Sequence, residues 1–228
     1  MPRLSEVMKE YKCYRVYAFN QAAQLMAIDA MPGGGVCTSI TFDWLRRRIL
    51  GAKNFNDPVY SKKRLFLGST TSTKGRERLI TKHKAMHVAL AESGRDDTLA
   101  AFDQANPHVK RPFAKLAIVD GPRVGCADSA RDYEPDPNKA RKVIDSLTDT
   151  GRGDYNAEIA WKSRKVAPGH SVGAARRDGT YWFFDPNLGE YQTNDASEFA
   201  AMVLDAWTWY AHTHELTTFW VTWVNAAV

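Results

Sequence analysis

Three short segments of this chain supply a thiol, an imidazole and a carboxylate, in that order. Cys37 ends the glycine-rich turn P-G-G-G-V-C and opens the amphipathic stretch T-S-I-T-F-D-W-L. His170 lies in P-G-H-S-V, and Asp185 lies in F-F-D-P-N-L-G. A thiol at a helix N-terminus beside an imidazole has a lowered pKa and is held as a thiolate paired with an imidazolium. The pattern therefore predicts a thiolate nucleophile, as in a cysteine peptidase or a chemically related enzyme.

The three groups have complementary roles in acyl transfer. The Cys37 thiolate attacks a carbonyl carbon, and the backbone amide that begins its helix can donate a hydrogen bond to the oxyanion. His170 holds the proton and delivers it to the leaving amine. Asp185 orients His170 through the other ring nitrogen and favours the imidazolium. Since Asp185 lies just beyond a strand expected to pair with the strand of His170, a β-hairpin can bring the two side chains together.

Periodicity and turn residues predict the elements that must position these side chains. Before residue 150 the sequence favours short helices, one of which begins after Cys37 and ends with basic residues that suit its macrodipole. After residue 168 it favours two strands joined by the turn R-D-G-T, a helix capped by Asn194 or Asp195, and a last strand. The predicted elements are helices over 4–10, 20–30, 38–50, 76–92, 96–106, 139–147 and 197–210, strands over 14–19, 114–119, 170–176, 181–184 and 217–224, and loops over 54–75 and 132–138.

Length and composition indicate one globular domain. The chain has 228 residues, of which 44% are hydrophobic and 25% charged, enough to bury a sizeable core. No apolar run reaches the roughly 18 residues of a transmembrane helix, and the first residues lack the apolar stretch of a signal peptide. We expect one α+β domain over 1–228. Its helical part, over about 1–150, carries the helix of the nucleophile, and its antiparallel sheet with a packed helix spans about 151–228.

The cysteines favour a reducing environment. Cys13, Cys37 and Cys126 are an odd number and too few for a disulfide scaffold. No Cys or His spacing is typical of a zinc site, and we expect no metal. His83 and His87, four residues apart, have metal-compatible spacing but are better explained as residues of a helix surface. Without a chemical context a cysteine is usually a small buried residue, which we expect of Cys13 and Cys126.

Aromatic and imidazole side chains near the C-terminus have two interpretations. They can line a hydrophobic substrate groove, or they can fill the layer between the last helix and the sheet, which their spacing favours. We expect two histidines to cap the end of that helix or to face solvent. The residues concerned are Trp207, Trp209, Trp220 and Trp223, and the histidines are His212 and His214.

Positive charge is concentrated between residues 46 and 84. This segment has twelve Lys or Arg and two acidic residues. A solvated surface is the simpler interpretation; the alternative is a docking site for an acidic partner. Its ligand would be an inositol polyphosphate activator, an anionic lipid headgroup or an acidic host protein. The candidate substrate- or anion-binding residues are Arg46, Arg47, Arg48, Lys62, Lys63 and Arg64.

Three motifs together resemble those of the YopT/AvrPphB family of bacterial effector cysteine peptidases. They are G-V-C-T-S-I at 35–40 with W-L at 44–45, G-H-S-V at 169–172, and F-D-P-N-L-G-E-Y at 184–191. The D-P-N-x-G segment is the most specific of them, and residues 51–160 carry no such resemblance. The resemblance implies a papain-like fold, a Cys-His-Asp triad formed by Cys37, His170 and Asp185, and a virulence effector or toxin that cleaves a specific host protein.

The chain departs from the family where an oxyanion donor is expected. The family usually places an Asn or Gln five or six residues before the nucleophile, and this chain has Pro32 and Met31 there. Neither side chain can donate a hydrogen bond. Backbone amides alone can serve, or one of three side chains in the preceding predicted helix: Asn20, Gln21 or Gln24.

Three functions are compatible with these observations. The first is a papain-like thiol peptidase, secreted from a bacterium without an N-terminal signal peptide and acting in the host cytosol, or otherwise cytoplasmic. The second keeps the triad but is a deamidase, transglutaminase or acyltransferase. These enzymes also react through an acyl-enzyme intermediate. The third is a non-catalytic binding module that docks through the basic segment. We expect no cofactor other than a polyanion activator, and no specific nucleic-acid partner.

Overall fold

The computed structural model describes residues 2–21, 37–49, 116–126, 134–164 and 169–226. Within these ranges the strands are β1 (Arg15–Ala18), β2 (Leu116–Gly125), β3 (Tyr155–Ser163), β4 (His170–Arg177), β5 (Thr180–Asp185), β6 (Gly189–Thr193) and β7 (Leu216–Ala226). The helices are α1 (Leu4–Val7), α2 (Cys37–Ile49), α3 (Pro137–Thr148) and α4 (Ala196–His214), with single 3₁₀ turns at Lys12–Tyr14 and Thr150–Arg152. The strands form one antiparallel sheet in the order β1-β6-β5-β4-β3-β7-β2.

The middle of the sheet is the β4–β5 hairpin that the turn residues predict. Its turn contains Asp178 at φ 50° and Gly179 at φ 77°, the left-handed backbone that a tight hairpin turn requires and that Gly and Asp tolerate best. Gly173 pairs with Phe184 across the hairpin. On its other side β4 pairs with β3, where Trp161 lies opposite His170.

Helices cover both faces of the sheet. Val172 and Ala174 of β4 belong to the main hydrophobic core, which includes buried residues of α1, α3 and α4. Gly173, between them, contacts Trp44 of α2. Because successive residues of a strand face opposite sides of a sheet, α2 lies on the face opposite α3 and α4.

The last helix begins and ends at identifiable residues. The Asp195 side chain accepts hydrogen bonds from the backbone N–H groups of Ser197 and Glu198, which identifies the N-cap. The helix ends where Glu215 adopts the left-handed conformation, four residues later than predicted. Trp207 is fully buried in the core, as the core interpretation of the tryptophan cluster predicts.

The predicted α+β class is confirmed, but two strands and one boundary were not foreseen. The sequence predicted neither β3 nor β6. The edge strands β1 and β2 come from the first 150 residues, so residue 150 does not separate a helical part from a sheet part. The elements predicted within 22–36 and 50–115 lie outside the described residues. In the part of the chain that the structure describes, no helix is long and apolar enough to cross a membrane.

Candidate active site

Cys37 is the first residue of α2, and its side chain is buried. The helix is attached to the sheet one turn further on, where the Thr41 hydroxyl donates a hydrogen bond of 3.0 Å to the carbonyl oxygen of Ser171. The Trp44 ring stacks on Phe184 at 5.3 Å between centroids. These contacts fix the thiol relative to the strand that carries His170.

His170 is the first residue of β4. The position before it, Gly169, has no room for a side chain. Gly169 has φ 116°, and a Cβ at this position would collide with the carbonyl oxygen of Trp161. The His170 ring packs against Tyr210, at 4.6 Å between centroids and 29° between planes, and against Trp161 at 5.3 Å. Aromatic contacts therefore restrict the orientation of the imidazole.

The structure brings His170 and Asp185 into direct contact. His170 Nε2 lies 3.0 Å from Oδ1 of Asp185, whose side chain is fully buried. The same Oδ1 accepts the backbone N–H of Asn187 at 2.7 Å. Since Nε2 faces Asp185, Nδ1 is the ring nitrogen left for the hydrogen bond with Cys37.

The surroundings of His170 favour its protonated form. Burial lowers the pKa of an imidazole, but the charges of Asp185 and Cys37 and their hydrogen bonds outweigh it, and the pKa of His170 rises to about 10. An imidazolium held between a carboxylate and a sulfur is the arrangement that stabilises a thiolate.

A cleft of about 120 Å³ exposes the thiol and the imidazole. Asp185 is not among its lining residues and lies behind His170. The lining residues are Gln21, Cys37, Trp161, Ser163, Gly169, His170, Asn187, Tyr210 and His214.

The three candidate donors to the oxyanion differ in their positions in the structure. Gln21 is buried at the cleft, where its Nε2 donates a hydrogen bond of 2.8 Å to Asn187 Oδ1 and its backbone N–H donates to Pro186 O. Asn20 is exposed and does not line the cleft. Gln24 lies outside the described residues.

Three of the six candidate anion-binding residues have carboxylate partners within the chain. Arg46 and Arg47 each contact Asp43 at 2.9 Å, and Arg48 contacts Glu190 at 3.4 Å. Burial raises the pKa of Glu190 to about 7, although Arg48 and Trp44 act against it. Docking of an anion through these arginines stays a prediction. The remaining candidates, Lys62, Lys63 and Arg64, lie outside the described residues.

Five cleft residues were not identified from the sequence as parts of a site: Trp161, Ser163, Asn187, Tyr210 and His214. Trp161 and Ser163 lie on β3, which was not predicted. Asn187 lies within the D-P-N-x-G motif, the only signal that could have identified it. Tyr210 and His214 are four residues apart on α4, one helical turn, and His214 faces the cleft rather than capping the helix or lying free in solvent.

The other two cysteines differ from each other. Cys126 is buried, as predicted, and burial raises the pKa of its thiol to about 12. The prediction that Cys13 is buried is wrong, because its side chain is exposed; it follows Lys12 in a 3₁₀ turn at the surface. Among the described residues, no group of three or more His, Cys, Asp or Glu side chains is arranged to hold a metal ion.

Comparison with known proteins supports the resemblance carried by the three motifs. Residues 123–219 match the family model Peptidase_C58, described as Yersinia/Haemophilus virulence surface antigen. The match includes His170 and Asp185 and begins after Cys37. No curated protein matches the chain in sequence.

The fold has a counterpart among solved structures. The avirulence protein AvrPphB of Pseudomonas is similar, with a TM-score of 0.57 and 14% identity over 95% of this chain and 100% of that chain. The YopT domain of the Pasteurella multocida PfhB2 toxin has a TM-score of 0.29 and 14% identity, over 90% of this chain and 92% of its own. Only the first likeness bears on the fold, and it agrees with the α+β class predicted from the sequence.

Proposed function

We propose that this chain is a cysteine peptidase in which Cys37 is the nucleophile, His170 the general acid and base, and Asp185 the residue that orients His170. The observation that carries the proposal is the contact of 3.0 Å between His170 Nε2 and Asp185 Oδ1, at the back of a cleft whose lining includes Cys37. The partial match to a peptidase family and the fold shared with AvrPphB support it.

The first half of the reaction forms an acyl-enzyme. The Cys37 thiolate adds to the carbonyl carbon of the scissile amide, a C–S bond forms, and the carbonyl electrons move to the oxygen. We assign Gln21 Nε2, from a residue that lines the cleft, and the backbone amide at the start of α2 as the donors to this oxyanion. The His170 imidazolium gives its proton to the amide nitrogen, the C–N bond breaks, and the amine leaves.

The second half restores the thiolate. Neutral His170 takes a proton from water, the resulting hydroxide adds to the thioester carbonyl, and the C–S bond breaks. The carboxylic acid product leaves and the thiolate–imidazolium pair forms again. Asp185 stays ionised throughout and keeps Nε2 in place.

We further propose that the substrate is a specific protein of a host cell and that the chain is a secreted bacterial effector. The family and the fold neighbour carry this part, through names that refer to virulence and avirulence. A nucleophilic thiolate must also stay reduced, a condition that a cytosol meets. A polyanion bound by the basic segment 46–84 remains the proposed activator.

Alkylation of Cys37 tests the nucleophile without a known substrate. In a Cys13→Ser background, which removes the exposed thiol, we expect iodoacetamide to add one carbamidomethyl group at pH 6. An unperturbed thiol at this pH is less than about 1% ionised, so His170→Ala should slow the labelling roughly 100-fold. Intact-mass spectrometry over time measures the rate.

Cys37→Ala in the same background is the control and should remain unlabelled with an unchanged far-UV CD spectrum. Labelling at pH 6 that is equally fast with and without His170 would contradict the proposed dyad.

Product mass identifies the acceptor of the acyl group. We expect host-cell lysate treated with the wild type, but not with Cys37→Ala, to contain a substrate cut into two fragments with one new N-terminus. A substrate that instead gains about one dalton, or gains an adduct without chain cleavage, would replace the peptidase with a deamidase or an acyltransferase.

A further inference from the structure

The hydroxyl of Tyr210 lies at the centre of the polar contacts behind the cleft. It donates a hydrogen bond of 3.0 Å to Asp185 Oδ2 and accepts one of 2.8 Å from Asn187 Nδ2. It is also 3.0 Å from His170 Nε2. One side chain of α4 thus contacts the imidazole, the carboxylate that orients it, and an amide of the cleft wall.

The direction of these hydrogen bonds follows from the negative charge of Asp185. A tyrosine hydroxyl has one proton, and the carboxylate accepts it. Tyr210 must then accept from an Asn187 N–H, which turns Asn187 Oδ1 toward Gln21. Gln21 therefore presents Nε2 to Asn187, as the bond of 2.8 Å between them requires. The orientation of two amide groups at the cleft thus depends on the Tyr210 hydroxyl.

The Tyr210 hydroxyl stays a donor over the whole working range of pH. Burial raises its pKa well above the ordinary value of a phenol, and the charge of Asp185 raises it further. The titratable groups around it are His170 from β4, Cys37 from α2, Asp185 from β5 and His214 from its own helix.

We propose that Tyr210 is a positioning residue of the reaction: its hydroxyl holds Asp185 against His170 and, through Asn187, sets the orientation of Gln21. The inference rests on the proposed function, because it concerns the same Cys37–His170 pair. It adds a residue that neither the motifs nor the likeness to known proteins assigns.

Tyr210→Phe is the sharpest test, because it removes one oxygen and keeps the ring that stacks on His170 and packs against Trp161 at 4.8 Å. Without its donor, Asp185 Oδ2 is a less stabilised carboxylate oxygen. We expect the acidic limb of the iodoacetamide labelling profile of Cys37 to move up by about one pH unit, the effect of one hydrogen bond to a charged group. The profile is measured between pH 4 and 8 in the Cys13→Ser background.

Tyr155→Phe is the matched control. Tyr155 is also buried, but within the described part of the chain its hydroxyl has no hydrogen-bond partner. It lies at the end of β3 opposite the end that contacts His170. We expect its labelling profile to coincide with that of the Cys13→Ser background. A merely structural role of Tyr210 would lower the stability of Tyr210→Phe without moving its acidic limb.

The outcomes separate this inference from the proposed function. If labelling depends on His170 but Tyr210→Phe leaves the limb in place, the role of Tyr210 is overturned and the dyad stands. If labelling at low pH does not depend on His170, the proposed function fails first. Should Tyr210→Phe not fold, 3-fluorotyrosine at position 210 keeps the hydroxyl and makes it a stronger donor. The limb should then move to lower pH, and an unmoved limb would equally overturn the role.

Discussion

At the residue scale, Gln21 is the side chain whose chemistry the structure constrains most. Its Nε2 donates to Asn187, and its buried Oε1 has no hydrogen-bond partner among the residues that the structure describes. An amide nitrogen carries two hydrogens, and the bond to Asn187 uses one of them. The second can serve the oxyanion of a tetrahedral intermediate, whereas exposed Asn20 is not at the cleft.

Two probes separate an oxyanion donor from a residue that merely supports the thiol. Iodoacetamide alkylates Cys37 without forming an oxyanion, whereas p-nitrophenyl acetate acylates it through a tetrahedral intermediate. We expect Gln21→Ala to slow acylation by about 10² to 10³, the usual effect of removing one such donor, and to leave alkylation nearly unchanged. Release of p-nitrophenolate at 400 nm measures the acylation rate.

Asn20→Ala is the matched control and should leave both rates as they are. Equal slowing of alkylation and acylation by Gln21→Ala would mean that Gln21 supports the fold of the cleft rather than the oxyanion.

The sequence predicted best the positions that neighbouring residues along the chain determine. Cys37 follows glycines and opens a helix, and a hairpin brings His170 to Asp185, so local pattern predicts where all three lie. Tyr210 has no such local signal, because an aromatic residue on an amphipathic helix looks like core. Its contacts with Asp185 and Asn187 arise only when α4 packs on the sheet.

At the scale of elements, the position of α2 depends on a missing side chain. A Cβ on Gly173 would lie 2.6 Å from the Trp44 ring, so glycine lets the indole lie flat on β4. Arg48 stacks over Trp44 at 4.9 Å and over Trp182 at 4.0 Å, which extends the contact of the helix with the sheet. The end of α2 opposite Cys37 is therefore attached to the sheet through Trp44 and Arg48, while Thr41 attaches its beginning.

Gly173→Ala should displace α2. We expect a loss of about 1–3 kcal/mol in the free energy of unfolding, the usual effect of overpacking a buried contact, together with slower alkylation of Cys37 at pH 6. Urea denaturation and the labelling assay measure the two effects.

Gly125→Ala provides the comparison, since a Cβ there meets no atom of the described residues within 4 Å. It should change neither quantity. A Gly173→Ala variant with wild-type stability and labelling would show that α2 tolerates a shift away from β4.

Periodicity missed two strands in which buried and exposed residues do not alternate. In β3, residues 157–161 are all buried, so hydrophobic and polar residues do not alternate. In β6 the buried positions include Glu190, a charge that no pattern would place inside. Both strands lie within the sheet and are covered on two sides, which is the reason that their sequences look unlike strands of a half-exposed sheet.

At the scale of the whole molecule, Glu190 and His170 are among the buried groups that bind protons more tightly in the folded chain than in the unfolded one. The pKa of Glu190 is raised from 4.5 to about 7, first by burial, and that of His170 from 6.5 to about 10, where Asp185 and Cys37 outweigh burial. Between each pair of values the folded chain holds the additional proton, and stability falls as pH rises. Stability due to Glu190 is lost between about pH 4.5 and 7, and that due to His170 between about pH 6.5 and 10.

Glu190→Gln should remove the first of these losses. The wild type is expected to lose roughly 3 kcal/mol from this group between pH 4.5 and 7, and the variant should show a flatter profile over that interval. Urea denaturation at half-unit steps of pH measures the free energy of unfolding. A profile that keeps its full slope in Glu190→Gln would assign the loss to other groups.

The bond between Thr41 and Ser171 also has a consequence for how the chain folds, because it joins positions 130 residues apart. Closing so long a loop is entropically unfavourable until the partner strand exists. We therefore expect the β4–β5 hairpin to form before α2 docks on it. Before α2 docks, the Cys37 thiol of a folding chain has no imidazole beside it. Alkylation of Cys37 at low pH should therefore appear only at this late step, and its time course would report the docking.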